Sequence, residues 1–322
     1  MNNILLHVED LRTSFFTRQG EVKAVDGVSF YVREGETFGI VGESGCGKTV
    51  TGLSILRLLP EPAGKIVGGK IFLDGTNILE LSKKEMRLIR GRMVSMILQD
   101  PMTSLNPVYP IGDQIAESVR LHQNLPDDRV EEEVISALRL LRIPSPEVIL
   151  REYPFQLSGG MRQRVVGAIA MSCHPRLLIA DEPTTALDAT IQAQYLALFK
   201  EVQQKTNVAI IFITHDFGVV ANMCHRVGVM YAGKIVETAT TRELFHTPKH
   251  PYTSALINSV PRLDRKDDRL YSIEGQPPSL MNLPPGCRFF PRCSSAKAIC
   301  KEQEPTQVEI SNNHYVACYK VR

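Results

Sequence analysis

Apolar residues come along this chain in short runs, and their spacing changes character twice. Ile4 to Val8 is one run and Ala24 to Val32 a second with partial alternation, and both predict strands. Thr37-Phe38-Gly39-Ile40-Val41 is a third, running directly into a glycine-rich loop. Val50 to Leu59 then carries helical spacing and stops at Pro60. Met93 to Leu98 predicts another strand, followed by Gln99. From Pro101 the pattern turns helical: Ile111 to Leu121 and Val130 to Leu141 have helical periodicity, with joints rich in Pro, Asp and Asn. This predicts a helical subdomain over about 101–172, closing with a helix that begins at Ser158. Strand signals return at Leu177 to Asp181, Val208 to Thr214 and Val227 to Tyr231, with a helix over Ile191 to Gln204. Strands alternating with helices define an α/β fold with a mostly parallel sheet covered on both faces.

After about residue 240 the alternation fades. His250-Pro251-Tyr252-Thr253 opens a short helix, and a charged linker punctuated by Pro261, Pro277, Pro278, Pro284 and Pro285 leads to a group of cysteines. The reading is therefore a core over 1–240 and an extension over 241–322. No internal repeat or low-complexity tract is present.

Composition narrows the class. The chain of 322 residues is 43% hydrophobic and 22% charged, which is ordinary for a soluble protein. A formal net charge of +2 gives no strong steering toward nucleic acid. No apolar run approaches the ~20 residues that span a bilayer, and the first ten residues lack the basic flank and long apolar stretch of a signal peptide. A cytoplasmic protein is expected, with any membrane role supplied by a partner. Four of the seven cysteines, Cys287, Cys293, Cys300 and Cys318, fall in the last 36 residues, where uniform scatter would place about one. In a reducing compartment such a group points to metal or cluster ligation rather than disulfides.

The candidate chemistry centres on Gly42-Glu43-Ser44-Gly45-Cys46-Gly47-Lys48-Thr49. Gly42 and Gly47 permit turns that a Cβ would obstruct. The N–H groups of this loop can then converge on phosphate oxygens at a helix N-terminus. Lys48 is expected to reach the β- and γ-phosphates and Thr49 to give a hydroxyl to Mg²⁺. Asp181 ends an apolar strand and is expected to hold Mg²⁺; Glu182 follows where a general base for water would sit. Cys46 lies near the loop amides, the helix N-terminus and Lys48, all of which favour a thiolate; inward packing of an inert thiol is the alternative. Ser158 can cap its helix, and its hydroxyl with the Gly159 and Gly160 amides forms a second anion site.

Leu157-Ser158-Gly159-Gly160-Met161-Arg162-Gln163 between the phosphate loop and Leu177-Leu178-Ile179-Ala180-Asp181-Glu182 resembles the ATP-binding-cassette ATPases. The resemblance implies a P-loop ATPase core in which Ser158, Gly159 and Gly160 act on the ATP of a partner subunit in a head-to-tail pair. His215, after Ile210-Ile211-Phe212-Ile213-Thr214, resembles the switch histidine, and Gln99 the Q-loop glutamine that senses Mg²⁺ and the attacking water. Phe15 aligns by spacing with the aromatic that stacks on adenine, and Pro183-Thr184-Thr185-Ala186-Leu187-Asp188 resembles the D-loop.

Gln99 to Pro107, His250 to Thr253 and Gly286 to Cys293 are similar to the dipeptide and oligopeptide importers, whose relatives include nickel importers. That similarity implies ATP hydrolysis powering solute uptake, a second ATPase subunit, two membrane permeases, an extracytoplasmic binding protein, and a peripheral place on the inner face of the membrane. Nickel or another small solute is the alternative cargo, and a soluble cassette protein the alternative class. The Cys-x5-Cys-x6-Cys-x17-Cys spacing lacks the close pair usual in structural zinc. Four thiolates can hold an iron–sulfur cluster, and the importer subfamily carries a [4Fe–4S] cluster on this extension; zinc and unligated cysteines are the alternatives. Arg288 and Arg292 are expected to offset its negative charge. Lying far along the chain from the ATP motifs, the cluster is not expected to act in catalysis, and the core is expected to bind nucleotide without it because Lys48 and Asp181 lie in a separately packed sheet.

Overall fold

A computed structural model of the chain describes residues 3–99, 104–185, 187–260 and 271–321. The chain divides into two compact units.

One unit consists of Leu6–Tyr31, Thr37–Leu79 and Ile213–Arg322. It holds nearly all of strands β1 (Ile4–Thr17) and β2 (Gly20–Arg33), with β4 (Gly64–Leu73) and β5 (Thr76–Asn77), in a sheet ordered β2-β1-β4-β5. β1 and β4 run antiparallel from Leu6↔Leu73 to Phe15↔Gly64, with an irregularity between Glu9 and Thr13. Gly69 sits opposite that irregularity at φ +93°, where a Cβ would stand 2.6 Å from the Asp10 carbonyl oxygen. The paired glycines Gly68 and Gly69 hide β4 from a reading of apolar runs, because they break its alternation where the partner strand bulges.

In the same unit, β3 (Thr37–Val41) pairs in parallel with β9 (Arg226–Tyr231), and both are buried along their whole length. β10 (Lys234–Thr240) joins β9 antiparallel, and β12 (His314–Val316) and β11 (Val308–Ser311) follow in order. The C-terminal hairpin thus extends the same sheet that carries the phosphate loop. β10 escaped the periodicity because it buries a carboxylate. Glu237 is fully buried and accepts from the Lys249 N–H at 2.8 Å, the His250 N–H at 2.9 Å and His314 Nε2 at 2.8 Å. Burial opposes its charge, but these donors hold its carboxyl below the ordinary range. One side chain therefore ties β10, the start of the helix Pro251–Asn258 and β12 together.

The other unit is chiefly Glu80–Phe212. β6 (Val94–Ile97) runs parallel to β7 (Leu177–Asp181), with β8 (Ala209–Thr214) on the far side of β7. Helix Ile111–His122 buries Ile111, Ile115 and Val119 at four-residue spacing, and helix Asp127–Leu140 buries Val130, Val134 and Leu138 likewise. These two helices pack together and against Gly159–Met171, which realises the predicted helical region. Among the described residues no helix is long and apolar enough to cross a membrane.

In the first unit Phe289, 3% exposed, sits against Tyr231 and Tyr252 with ring centroids 5.3 Å from each, and Tyr231 and Tyr252 are 4.6 Å apart. Phe289→Ala removes the wedge between extension and sheet. The expected cost is about 3–5 kcal/mol, read as a lower melting temperature and earlier proteolysis beyond residue 285; an unchanged melting curve and digestion pattern would show that the extension is held elsewhere.

Candidate nucleotide site and cysteine cavity

The phosphate loop lies between β3 and the helix Lys48–Leu56. Gly47 caps that helix at φ +107°, and a Cβ there would meet the Ala24 carbonyl oxygen at 2.2 Å. Gly45, at φ +77°, has nothing within 4 Å of an ideal Cβ. Glycine is thus required at Gly47 by close packing, while at Gly45 backbone conformation alone favours it, on an exposed crest shared with Ser44. Lys48 is only 6% exposed and turns back on the loop, donating from Nζ to the carbonyls of Gly42 at 2.8 Å and Glu43 at 3.0 Å. Thr49, half-buried, is the second residue of the helix.

Cys46 is buried, with its sulfur 3.9 Å from Lys48 Nζ. Burial pushes its thiol up, and Lys48 offsets this only in part. The expected reactive thiolate is therefore corrected to an inward-packed thiol, because desolvation outweighs the nearby charge.

Two further candidates belong to this unit. His215, exposed, follows directly on the end of β8. Phe15 is half-buried near the end of β1 opposite Gly64, while the neighbouring Phe16 is 47% exposed and lies under Lys65 Nζ at 5.7 Å. Phe15 is not part of the buried core.

In the other unit, β7 delivers Asp181, 1% exposed, at its last position. Glu182 follows in the left-handed region at φ +45°, an uncommon conformation for a non-glycine residue. Its Oε2 accepts from Gln99 Nε2 at 3.1 Å and Thr185 Oγ1 at 3.0 Å. Gln99 and Glu182, named separately from the sequence, are thus in direct contact. Thr185 was not singled out, although it stands three residues beyond Glu182. The turn is braced by Gln163 Nε2 on the Pro183 carbonyl and by Gln192 Nε2 on Thr184 Oγ1 at 3.2 Å.

Ser158 caps the helix Gly159–Met171, its Oγ accepting from the Met161 N–H at 3.3 Å. Ser158 and Gly159 are exposed and Gly160 half-buried. A Cβ on Gly159 would meet nothing within 4 Å. In the Q-loop stretch, Asp100 to Thr103 lie outside the described residues, as do Ala186 of the D-loop and Pro261 of the linker. Beyond them, Gln114 pins the segment, accepting from the Asn106 N–H and donating to the Asn106 and Tyr109 carbonyls, each at 2.9 Å.

The four C-terminal cysteines line one narrow cavity of about 20 Å³, walled also by Phe289 and His250. Burial pushes the Cys287 thiol up to about 11, and the other three sulfurs are near enough to oppose its ionisation further. Cys293 and Cys318 are raised for the same first reason, burial. Against this, the Lys320 N–H donates to the Cys318 sulfur at 3.4 Å, and the Phe289 and Ser295 amides lie near enough to Cys287 and Cys293 to favour their ionised forms. Among the described residues no three His, Cys, Asp or Glu side chains converge in the manner of a single-ion site. Arg288 and Arg292 do not serve the cavity as counter-charges, which corrects the expectation. Arg288 is committed to the Asp26 carboxylate and the Ala232 carbonyl, and Arg292 to Glu43.

A loop of this geometry, a strand-ending Asp-Glu pair and a capped Ser-Gly-Gly helix define an ATP-binding-cassette ATPase. The comparisons agree. The ABC transporter family model matches residues 25–185, and the model of the oligopeptide/dipeptide transporter C-terminal region matches 236–300. The chain is 52% identical over 315 residues to the dipeptide transport ATP-binding protein DppD of Bacillus subtilis (strain 168), covering 98% of this chain and 94% of that protein. It is 46% identical over 318 residues to the oligopeptide transport ATP-binding protein OppD of Salmonella typhimurium, covering 99% and 94%. A dimeric structure of the ATP-binding cassette MJ0796 bound to ADP and Pi shares the fold, with a TM-score of 0.65 at 22% identity over 74% of this chain and 99% of that one. The chain belongs to the dipeptide/oligopeptide branch of the ABC transporter ATPases and is an ATP-binding, ATP-hydrolysing subunit.

Inward packing makes Cys46 a slow thiol. Native protein treated with a bulky maleimide should leave the Cys46 peptide largely unmodified by mass spectrometry, whereas unfolded protein should label fully. Rapid native labelling of that peptide would contradict the burial argument.

Proposed function

We propose that this chain powers the uptake of di- or oligopeptides across a cell membrane, acting on its inner face as one of two ATPase subunits beneath two permeases fed by an extracytoplasmic binding protein. The observation that carries this is the similarity to peptide transport ATP-binding proteins, which runs through the C-terminal extension as well as the ATPase core. Val108, 71% exposed, and Tyr109, Leu121 and Phe155 present apolar surface on the helical unit and support contact with a permease.

In this reading Lys48 and the loop amides, including those of Gly42, Ser44, Gly45, Cys46 and Gly47, hold the β- and γ-phosphates. Thr49, Asp181 and Gln99 supply the hard oxygen ligands that suit Mg²⁺, which neutralises phosphate charge when bound. Glu182 takes the proton of the attacking water and Gln99 orients that water, a role supported by their mutual hydrogen bond. His215 contacts the γ-phosphate, and Phe15 stacks on adenine. Ser158, Gly159 and Gly160 serve the partner subunit's ATP, supported by their exposure and by the open space around Gly159. Nucleotide closes the pair and hydrolysis reopens it. The second homologous subunit, the permeases and the binding protein are partners of this proposal.

The gathering of Cys287, Cys293, Cys300 and Cys318 around one cavity supports a [4Fe–4S] cluster held by these four residues. Burial opposes ionisation of Cys287, Cys293 and Cys318, and metal binding would displace their protons. Backbone amides already near three sulfurs suit metal-bound thiolates. A lone zinc ion would draw the sulfurs to ~2.3 Å from one point; a four-iron cube lets them stand around a body. When bound, the cluster cross-links the extension.

Glu182→Gln should retain ATP binding and lose most turnover in the assembled complex, whereas Lys48→Ala should weaken binding itself. Hydrolysis by Glu182→Gln at a near-normal rate would remove Glu182 from the mechanism. Protein purified without oxygen should be brown and carry about four iron and four sulfide per chain. Zinc in place of iron, or full iron content in the Cys287→Ser, Cys318→Ser double variant, would overturn the cluster assignment.

A further inference from the structure

Glu43 is the second residue of the phosphate loop, and the C-terminal extension grips it twice. Arg292 forms a bidentate pair with its carboxylate, Nη1 to Oε2 at 2.7 Å and Nη2 to Oε1 at 2.9 Å. The Tyr252 hydroxyl accepts from the Glu43 N–H at 3.0 Å. With Lys48 Nζ on the Glu43 carbonyl, the residue is held at side chain, amide and carbonyl together. Arg292 is itself fixed. Its side chain is 4% exposed, Nε donates to the Glu274 carbonyl at 3.0 Å, Nη1 to the Tyr231 hydroxyl at 3.3 Å and Nη2 to the Ile273 carbonyl at 3.3 Å. A planar guanidinium locked on its far side presents a rigid fork to a carboxylate.

We infer that Arg292 and Tyr252 are positioning residues for nucleotide: through Glu43 they fix the mouth of the phosphate loop and neutralise a carboxylate that would otherwise stand unpaired among the amides meant for phosphate. The argument rests on charge as well as order. An anion site built from backbone N–H groups is weakened by a loose negative side chain at its edge. Tyr252 keeps the Glu43 amide in place, and Arg292 cancels the Glu43 charge. Neither depends on the residues that carry out hydrolysis.

Arg292 directly precedes Cys293. On the cluster reading given above, whatever holds Cys293 also holds the arginine, so the loading of the cysteines sets the strength of the clamp. The core then does not bind nucleotide independently of the extension, contrary to the expectation from a separately packed sheet.

The test is a double-mutant cycle on the dissociation constant of a fluorescent ATP analogue, with iron content and melting temperature measured on each protein. R292A is expected to weaken binding about tenfold, the scale of a lost charge-assisted hydrogen bond, and R292K to restore part of it. In an E43Q background the effect of R292A should shrink to under about twofold, because the charge it leaves exposed is gone. Y252F should weaken binding severalfold with iron content unchanged. In hydrolysis by the assembled complex, KM should rise for R292A while kcat holds. An R292A effect undiminished by E43Q overturns the inference, since that is how simple loss of the tail or its iron would behave; so do unchanged constants in both R292A and Y252F. Iron-stripped wild type should bind less tightly than iron-loaded protein, and the R292A/E43Q pair should be indifferent to iron. Protein that never binds iron would sink the cluster reading alone and leave the cycle intact.

Discussion

A loop that binds phosphate with its backbone must be held in a shape the backbone would not choose. Here the holding comes from neighbours that leave no room for a Cβ. The Ala24 carbonyl would stand 2.2 Å from one on Gly47, and the Met230 carbonyl 2.1 Å from one on Gly42. β2 and β9 therefore press on the loop from their own positions, and Lys48 closes it by bonding to its carbonyls. The surrounding strands can press only because they are themselves immobile. β3 and β9 are buried at every residue, and β9 is flanked by β10 and then by the C-terminal hairpin. The loop's conformation is thus a property of the sheet, and the sheet includes residues from the end of the chain.

The parts legible from sequence are those where one rule acts alone. β3 and β7 have the bounds read from their apolar runs, because a fully buried strand shows an unbroken run. The helices Ile111–His122 and Asp127–Leu140 were visible because each buries one face against a neighbour. β4 was hidden by Gly68 and Gly69, which answer to the partner strand's bulge rather than to any local pattern. β10 was hidden by Glu237, whose burial makes sense only once the donors from Lys249, His250 and His314 are in place. In both, a deciding partner lies outside the strand's own local pattern.

The same limit separates the residues of the candidate sites. Motif and spacing led to Lys48, Asp181, Glu182 and the four cysteines, because their chemistry requires neighbours close in sequence. No sequence rule pairs Glu43 with Arg292, nor shows that Arg288 is spent on Asp26. Both arginines were expected to answer the charge of the cysteines beside them. They answer carboxylates instead, because a guanidinium gains more from a bidentate or directly bonded carboxylate than from a diffuse charge nearby. The cysteines are served by backbone amides, which carry no net charge and are fixed by the fold.

Gly159 poses the opposite case, a glycine that the chain itself does not need. It lies in the first turn of a regular helix, where alanine would be the better former, and a Cβ would touch nothing within 4 Å. Glycine there costs helix stability without relieving any contact inside the chain. Ser158 beside it is exposed and caps the helix, so the first turn's amides stay ordered and open. Such a surface has a use only if something approaches the backbone closely from outside. In the head-to-tail pair proposed above, that visitor would be the phosphate end of a nucleotide seated on the partner subunit's loop. The phosphate loop is shaped by its own sheet, while nothing packed against Gly159 within the chain calls for glycine. That asymmetry supports the proposed completion of the site on pairing.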